Sequence, residues 1–302
     1  MQLALPVTAP GEVEILAREG ASEFYCGVQT KTWQDKFGDH DSISRRQGKA
    51  NLASVEELKE INAEAASLGM PLFLTLNGSY TQEQLPYAME LAGIFEGFGG
   101  TGLMVMDIAL LIALQKQNSR LIRGLSLLAA VGCASALEFY QALGVSRVVM
   151  PRFLAPKQMR VILRGFPHIQ AEAIVWNDKC RFIDGYCRFI HSNGYMDCLH
   201  TAAGIPLPEI RAYDTSYQLP TCFDILGKPP RAPACAACHI ERLSEAGVRI
   251  FKMGGRGRSL ETRLKGLRFY ISASKLDDPA ARKKLYQKTF GGPCCGEVCY
   301  YN

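Results

Sequence analysis

Short apolar runs recur along the chain, and most are followed by a stretch in which apolar positions fall three and four residues apart. The first pattern is that of a strand and the second that of an amphipathic helix. The predicted strands are QLALPV, SEFYCGV, PLFLTLN, GLMVMD, LIRGLSLL, SRVVMP, IQAEAIVW and VRIFKMG. Helices are expected near residues 11–19, 54–69, 82–95, 107–118, 134–143, 156–165 and 239–246, and one near 259–274 follows the eighth strand. Several strands are apolar at nearly every position, as strands are when helices cover both faces of a parallel sheet. Eight such units predict an α/β fold closed as a (β/α)8 TIM-type barrel, with an open doubly wound sheet as the second reading. Local signals agree with this register. Ser54 and Glu57 have the spacing of a capping box, and Gly69, Gly144 and Gly247 stand where helices should stop.

Two segments break the alternation. Residues 177–235 form a long excursion after strand seven, rich in cysteine, aromatic and polar residues, and loops of that length are usually functional. The other is the end of the chain, GGPCCGEVCYYN. No linker or low-complexity stretch divides the sequence. The expectation is one barrel domain over residues 1–302, carrying a cysteine-rich, cluster-binding insertion at 177–235 and a Cys-rich C-terminal tail at 291–302.

Composition narrows the class. With 302 residues and 48% hydrophobic content the chain can bury a large core. Its longest apolar run, Leu103 to Leu114, contains Asp107 and is too short to span a bilayer, and the opening MQLALPVTAP lacks a basic leader. A soluble, cytoplasmic protein is expected. The net charge of +5, from 34 basic and 29 acidic residues, is a mild excess spread along the chain rather than a nucleic-acid footprint. The densest basic run, Arg256 to Arg268, reads first as a solvated helix face and second as an RNA contact.

Eleven cysteines change the picture more than any other number. A reducing compartment does not favour structural disulfides, and a core of this size does not need them, so metal or redox chemistry becomes the leading account. The stretch DKCRFIDGYCRFIHSNGYMDC supplies Cys180, Cys187 and Cys198, with Gly185 and Gly194 available for turns, and PACAACH adds Cys235 or Cys238. Four thiolates suit an iron–sulfur cluster or tetrahedral zinc, and their spacing does not choose. Cys294, Cys295 and Cys299 form a second group that could join Cys222 or Cys238 at a second metal site, relay electrons or carry sulfur; the plain alternative is a loose end with reactive thiols. Cys26 and Cys133 are expected to be core thiols. The five histidines show no ligand or catalytic spacing.

In a barrel of this type the reacting groups lie at the C-terminal ends of the strands. Those positions hold Cys26, Gly27, Asn77, Asp107, Ser126, Pro151, Arg152, Glu172, Trp176, Lys252 and Arg256, a polar and partly cationic ring. Arg46, Arg152, Lys252 and Arg256 could clamp a dicarboxylate, with Asn77 and Trp176 beside them as substrate-binding residues. Glu172, Lys252 and Asp107 are the candidate catalytic groups. Each has a structural alternative: Asp107 opens a helix and could cap it, and Glu172 could pair with an arginine.

The stretch AEAIVWNDKCRFIDGYC, in which Glu172 is followed eight residues later by Cys180 and seven further by Cys187, resembles the peptidase U32 family. SRRQGKANL is similar to its Arg and Asn-Phe block, FYQALGVSRVVMPRFL to its Arg-Val-Val-Leu-x-Arg segment, and CAACHIERLSEAGVRIFKMGGRGRS to its cysteine, Ala-Gly-Ile and Lys-Ile-Glu-Gly-Arg ending; LFLTLN and a strand ending in Asp107 fall in the same order. The resemblance covers about residues 1–260. It implies a cytoplasmic barrel with a four-iron four-sulfur (4Fe-4S) cluster on Cys180, Cys187, Cys198 and Cys235, with Cys238 competing for the fourth place. It further implies oxygen-independent hydroxylation of an RNA base or a small aromatic quinone precursor, with prephenate as the oxygen donor, or a related sulfur transfer. The family's label also implies a peptidase, and its paired members imply a non-catalytic, cluster-bearing partner of a related barrel. Two departures stand out: the family's His-Gly before the first cysteine is Trp176-Asn177 here, and its Glu before Gly-Arg is Gly254.

Overall fold

The computed structural model describes residues 1–38, 43–46, 48–177, 184–186, 233–292, 294 and 298–301. The strands are β1 (Gln2–Pro6), β2 (Glu23–Cys26), β3 (Leu72–Leu76), β4 (Gly102–Val105), β5 (Ile122–Leu125), β6 (Val145–Met150), β7 (Gln170–Asn177), β8 (Ala234–Cys235) and β9 (Val248–Met253). β1 to β7 pair in parallel in chain order, and β9 pairs in parallel with both β7 and β1, which closes an eight-stranded barrel and rules out the open sheet. The short β8 lies outside that ring and runs antiparallel to the end of β7, with Cys235 opposite Trp176 and Ala234 opposite Asn177.

Helices fill the crossovers: α1 (Glu12–Arg18), α2 (Lys31–Phe37), α3 (Val55–Ser67), α4 (Leu85–Gly97), α5 (Ile108–Lys116), α6 (Ala134–Ala142), α7 (Pro156–Leu163), α8 (Ile240–Glu245), α9 (Leu260–Ala273) and α10 (Pro279–Phe290). Ser54 caps α3 by accepting the Glu57 N–H, while the Glu57 carboxylate takes the N–H of Ala53. Gly69, Gly144 and Gly247 all have positive φ (64°, 80° and 98°) directly after helices, which a side chain would resist. α2 and α10 were not expected from the pattern. No helix among the described residues is long and apolar enough to cross a membrane.

The cysteine-rich insertion expected at 177–235 falls outside the described residues, except for Asn177, Asp184–Tyr186 and Pro233–Cys235, so Cys180, Cys187, Cys198 and Cys222 are not described. Cys295 is likewise not described. The tail is not a loose end where it is described: Val298, Cys299, Tyr300 and Tyr301 are buried, and the chain runs back past Cys235, whose N–H donates to Val298 O (2.8 Å) and whose O accepts from Tyr300 N (3.1 Å). Cys133, expected in the core, is exposed at the start of α6. The basic run does not form one helix face either. Arg256 is buried at the barrel mouth, Arg263 is buried against Glu12, and Arg268 pairs with Glu19 at the surface.

Most of the core lies between strands and covering helices. Inside the barrel, Tyr25, Phe73, Met104 and Val149 form a separate apolar layer. Below and beside it sits a charged layer: Arg147 from β6 pairs with Glu23 of β2 and Glu172 of β7, and Lys252 of β9 pairs with Glu172 at 3.0 Å. The two cations also lie over rings, Arg147 over Phe73 (4.1 Å) and Lys252 over Tyr25 (4.0 Å). Such a charged layer is tolerable because every member has an opposite partner.

Candidate active site at the barrel mouth

The parallel strands all point one way, so their C-terminal ends and the loops after them surround a single recess, with an empty volume of about 820 Å³ open to solvent. Tyr25, Thr75, Met104, Val149, Ile174 and Lys252 form its floor and walls; Asn77, Ser126, Arg152, Gly254 and Arg256 stand at its rim, with Arg45, Arg46, Leu127, Leu128 and Asp184 above. Among the described residues the lining holds five cations, Arg45, Arg46, Arg152, Lys252 and Arg256, against one acid, Asp184.

Arg256 sets the electrostatics. Its side chain is 5% exposed, donates to Thr75 Oγ1, and has no carboxylate within ion-pair distance among the described residues. Burial, followed by repulsion from Arg46, lowers its affinity for a proton to a pKa of about 10. The chain can bring a guanidinium so far in because residue 27 has no side chain. A Cβ on Gly27 would collide with Arg256 Nη1, Asn51 Oδ1 and Thr75 Oγ1. Arg45, also at this rim, leaves Nε and Nη2 buried with no hydrogen-bond partner among the described residues. Arg152 is held otherwise, by a two-pronged contact with Asp184 (Nε to Oδ2, 3.0 Å). Asn77 accepts from Arg45 N (3.0 Å) and donates to Ser126 Oγ (3.3 Å), tying two rim loops together.

The candidate catalytic residues separate. Lys252 reaches the recess floor, but its ammonium is paired downward with Glu172. Glu172 is fully buried beneath the recess; burial would raise its pKa, but Lys252 and Arg147 outweigh it and hold the carboxyl below its usual range. It is therefore ionised and saturated, the partner of an arginine and a lysine rather than an open base. Glu23, beside it, goes the other way, raised by burial despite Arg147. Asp107 caps α5 by accepting from Leu110 N (2.9 Å) and also from Tyr80 N (3.1 Å), and does not line the recess. Trp176 contributes to the recess wall while its indole packs outward on Phe269, Tyr270 and Phe290. Asn177, where the resembling family has glycine, has φ 92°, a left-handed conformation in which asparagine is the best-tolerated substitute.

Sequence reasoning missed Arg45, Thr75, Tyr25 and Asp184. Thr75 and Tyr25 could have been found by alternation, since each lies two residues before a residue at or near a strand end, Asn77 and Gly27, and so shares its face. Asp184 carried no such signal.

For a cluster, Cys235 is the one candidate ligand described among Cys180, Cys187, Cys198 and Cys235. β8 places it across from Trp176, four residues before Cys180. It is 3% exposed, its Sγ accepts from Ala237 N (3.3 Å) and lies 3.7 Å from the Tyr270 hydroxyl, and burial pushes its thiol up to about 12. A buried sulfur that accepts a backbone N–H fits a ligand of an iron–sulfur cluster, whose charge would reverse the effect of burial. Nearby are Cys238, whose Sγ donates to Pro279 O (3.7 Å), and Cys299, 3.3 Å from His239 Nε2. The influence of Cys294 lowers the Cys238 thiol to about 7. No group of three or more metal-ligating side chains with the geometry to hold an ion occurs among the described residues.

The solved U32 peptidase Mk0906 superposes with a TM-score of 0.51 at 12% identity, over 84% of this chain and 92% of that one. 2,3-Dimethylmalate lyase, of the PEP mutase/isocitrate lyase superfamily, gives 0.45 at 10% identity over 96% and 89%. A search of curated proteins returned no significant match. The family model for peptidase family U32 matches residues 9–198, well over half of the chain, and the closed barrel is the fold of the solved member: this protein belongs to the peptidase U32 family.

Proposed function

We propose that the protein is an iron–sulfur enzyme of U32 type whose barrel mouth binds a small ring-bearing carboxylate, in service of an oxygen-independent hydroxylation or a sulfur transfer. The observation that carries the substrate class is Arg256, a buried guanidinium with no described carboxylate partner, facing a recess whose other walls are Tyr25, Met104, Leu127, Leu128 and Ile174. A buried charge without a partner is costly, and a carboxylate from a ligand supplies what the chain lacks. The apolar wall suits a ring. Prephenate, which the family resemblance brings forward, has both features. Arg256 and Arg46 bind the carboxylate, Arg45 adds two nitrogens that have no hydrogen-bond partner among the described residues, and Lys252 holds positive charge at the floor while Glu172 keeps it in place.

Cys180, Cys187, Cys198 and Cys235 would hold the cluster, and when bound it supplies a Lewis acid or electron path that the side chains themselves do not. The peptidase alternative finds little support at the mouth. Ser126, which lines it, donates to no base among the described residues and accepts from Asn77 Nδ2 and Leu128 N.

The test has two arms. Iron and sulfide should be present after anaerobic purification and fall away in the serine variants of Cys180, Cys187, Cys198 and Cys235; a colourless protein with stoichiometric zinc overturns the cluster. Calorimetry should show prephenate binding that Arg256→Met weakens roughly 10- to 100-fold. Unchanged binding in that variant, or gelatin cleavage lost on changing one mouth residue, overturns the substrate class.

A further inference from the structure

Arg152 stands just after β6 and lines the recess, yet its guanidinium is already engaged. Nε donates to Asp184 Oδ2 (3.0 Å) and Nη2 donates to Oδ1, the forked geometry in which arginine holds a carboxylate best. The two side chains are 9% and 12% exposed, so the pair is largely withdrawn from water and from salt. A carboxylate ligand at Arg152 would have to displace a partner that belongs to the chain. Arg256 meets no such competitor among the described residues.

Asp184 opens a single 3-10 turn, Asp184–Tyr186, and a second contact docks that turn on the barrel. A Cβ on Gly185 would collide with Leu128 O and stand 3.1 Å from Ala130 Cβ, so backbone meets backbone there. Leu128 belongs to the 3-10 turn Leu127–Ala129 that follows β5. Ser126 caps it by accepting from Leu128 N (3.3 Å), and Asn77 donates to the same oxygen. The turn Asp184–Tyr186 is thus fastened to the loops after β5 and β6 at once, although the eight barrel strands pair without it. In sequence Asp184 lies four residues after Cys180 and three before Cys187, and one peptide bond joins Tyr186 to Cys187.

We propose that Arg152 and Asp184 are positioning residues: their ion pair pins the turn Asp184–Tyr186 to the barrel mouth and so anchors the segment that carries Cys180 and Cys187. The inference rests on the reading of those cysteines as cluster ligands. It removes Arg152 from the carboxylate-binding set, where residue type and strand position had placed it, and leaves that task to Arg256, Arg46 and Arg45. It also explains why an acid lines a recess whose other charged residues, among those described, are cations. Unpaired, Asp184 would repel a carboxylate ligand; paired with Arg152, it is neutralised. Gly185 is the third member of the device, because only a residue without a side chain lets the turn come so close to Leu128.

The experiment uses the full chain, purified anaerobically, as wild type, Asp184→Asn, Arg152→Met and Arg152→Lys. One readout is the rate at which a ferrous chelator bleaches the visible absorption of the cluster. The other is the initial rate of chymotrypsin cleavage after Tyr186, whose side chain is 78% exposed, measured on the chain as purified and again after the chelator has stripped it. Cleavage there reports local opening of the turn. Both rates should rise roughly 10- to 100-fold in Asp184→Asn and Arg152→Met, the range expected for losing a charge-assisted contact. Arg152→Lys keeps the charge, gives up the fork and should fall between, which preserves the test if a harsher variant does not fold. Glu19→Gln breaks the surface fork on Arg268 and should leave both rates at the wild-type value. Wild-type rates in both Asp184→Asn and Arg152→Met overturn the proposal, as does faster cleavage with unchanged iron release. So does an Arg152→Met chain that binds prephenate as weakly as Arg256→Met while its cleavage is unchanged, because Arg152 is then a ligand of the carboxylate. A wild type without iron and sulfide sinks the cluster reading instead, and cleavage of the same variants still decides whether the pair pins the turn.

Discussion

The behaviour of Arg256 follows from two neighbours, Gly27, which the sequence already places at the mouth, and Thr75, which sequence inspection passes over. Replacing Arg256 with methionine removes a buried charge that has no described acid partner, and Thr75 Oγ1 keeps its bond to Cys26 O (2.9 Å), so the fold should lose little stability or gain some. A carboxylate ligand, by contrast, loses a charge-assisted contact worth about 1.5–3 kcal/mol, or roughly 10- to 100-fold in affinity. Thermal melting and calorimetry on one variant separate the effects, and a large drop in melting temperature would mean that Arg256 is structural. Gly27→Ala acts on the same group from the other side. Its methyl would meet the guanidinium and Asn51 Oδ1, so we expect a cost of about 1–3 kcal/mol together with weakened carboxylate binding. An alanine variant that binds as the parent does would show that Arg256 need not hold its place.

At the scale of elements, the eight strands and their covering helices could be read from apolar periodicity, because that periodicity is the physical cause of the barrel. α2 was passed over because seven residues give barely two turns of pattern, although Thr30 caps it through Trp33 N. α10 had stronger signals, Asp278 and Pro279 at its start and Gly291 at its end, but its weakly amphipathic face hid it. The mouth was legible where strand ends could be counted and illegible at Asp184, which a loop carries in. Asp107 and Glu172 show the limit of residue type as evidence: both are carboxylates near strand ends, and a backbone cap and an ion-pair partner account for them. The tail was the least legible element, since nothing in GGPCCGEVCYYN announces that it docks. Tyr301 is buried and donates to Ile174 O (3.2 Å), and Tyr300 and Val298 hydrogen-bond β8. Deleting residues 293–302 should therefore cost at least the ~3–5 kcal/mol typical of truncating a buried aromatic, measured by urea unfolding, and should speed proteolysis near Pro233–His239. A tail that can be removed without either effect would not be part of the fold.

Across the whole molecule, the charged layer joins β2, β6, β7 and β9 through the barrel interior, so it couples the barrel's closure to the floor of its mouth. Glu172 is the hinge of that layer, since it alone contacts both Arg147 and Lys252. In Glu172→Gln, Arg147 retains Glu23 but Lys252 is left without a carboxylate, and breaking such a buried pair costs about 3–5 kcal/mol. The recess admits water to Lys252, which places the expected loss near the lower end, about 3 kcal/mol. The pH dependence fixes the assignment. Because Glu172 titrates below its ordinary 4.5 in the folded protein, its contribution is fully present above that value and is lost as pH falls through the lowered one. Glu23, raised by burial, contributes in the opposite sense: its share is present below 4.5 and lost as pH rises through its raised value. Burial, which both proteins share, is the first cause of the Glu23 shift and repulsion from Glu172 a smaller one, so the difference between the wild type and Glu172→Gln reports mainly on Glu172. Urea unfolding of the pair should show a constant gap from neutral pH down to about 4.5 that then narrows, because a protonated Glu172 is no better a partner than glutamine. A gap that holds unchanged to strongly acid pH, or one that widens there, would mean that the carboxylate is not what holds Lys252 at the barrel's floor.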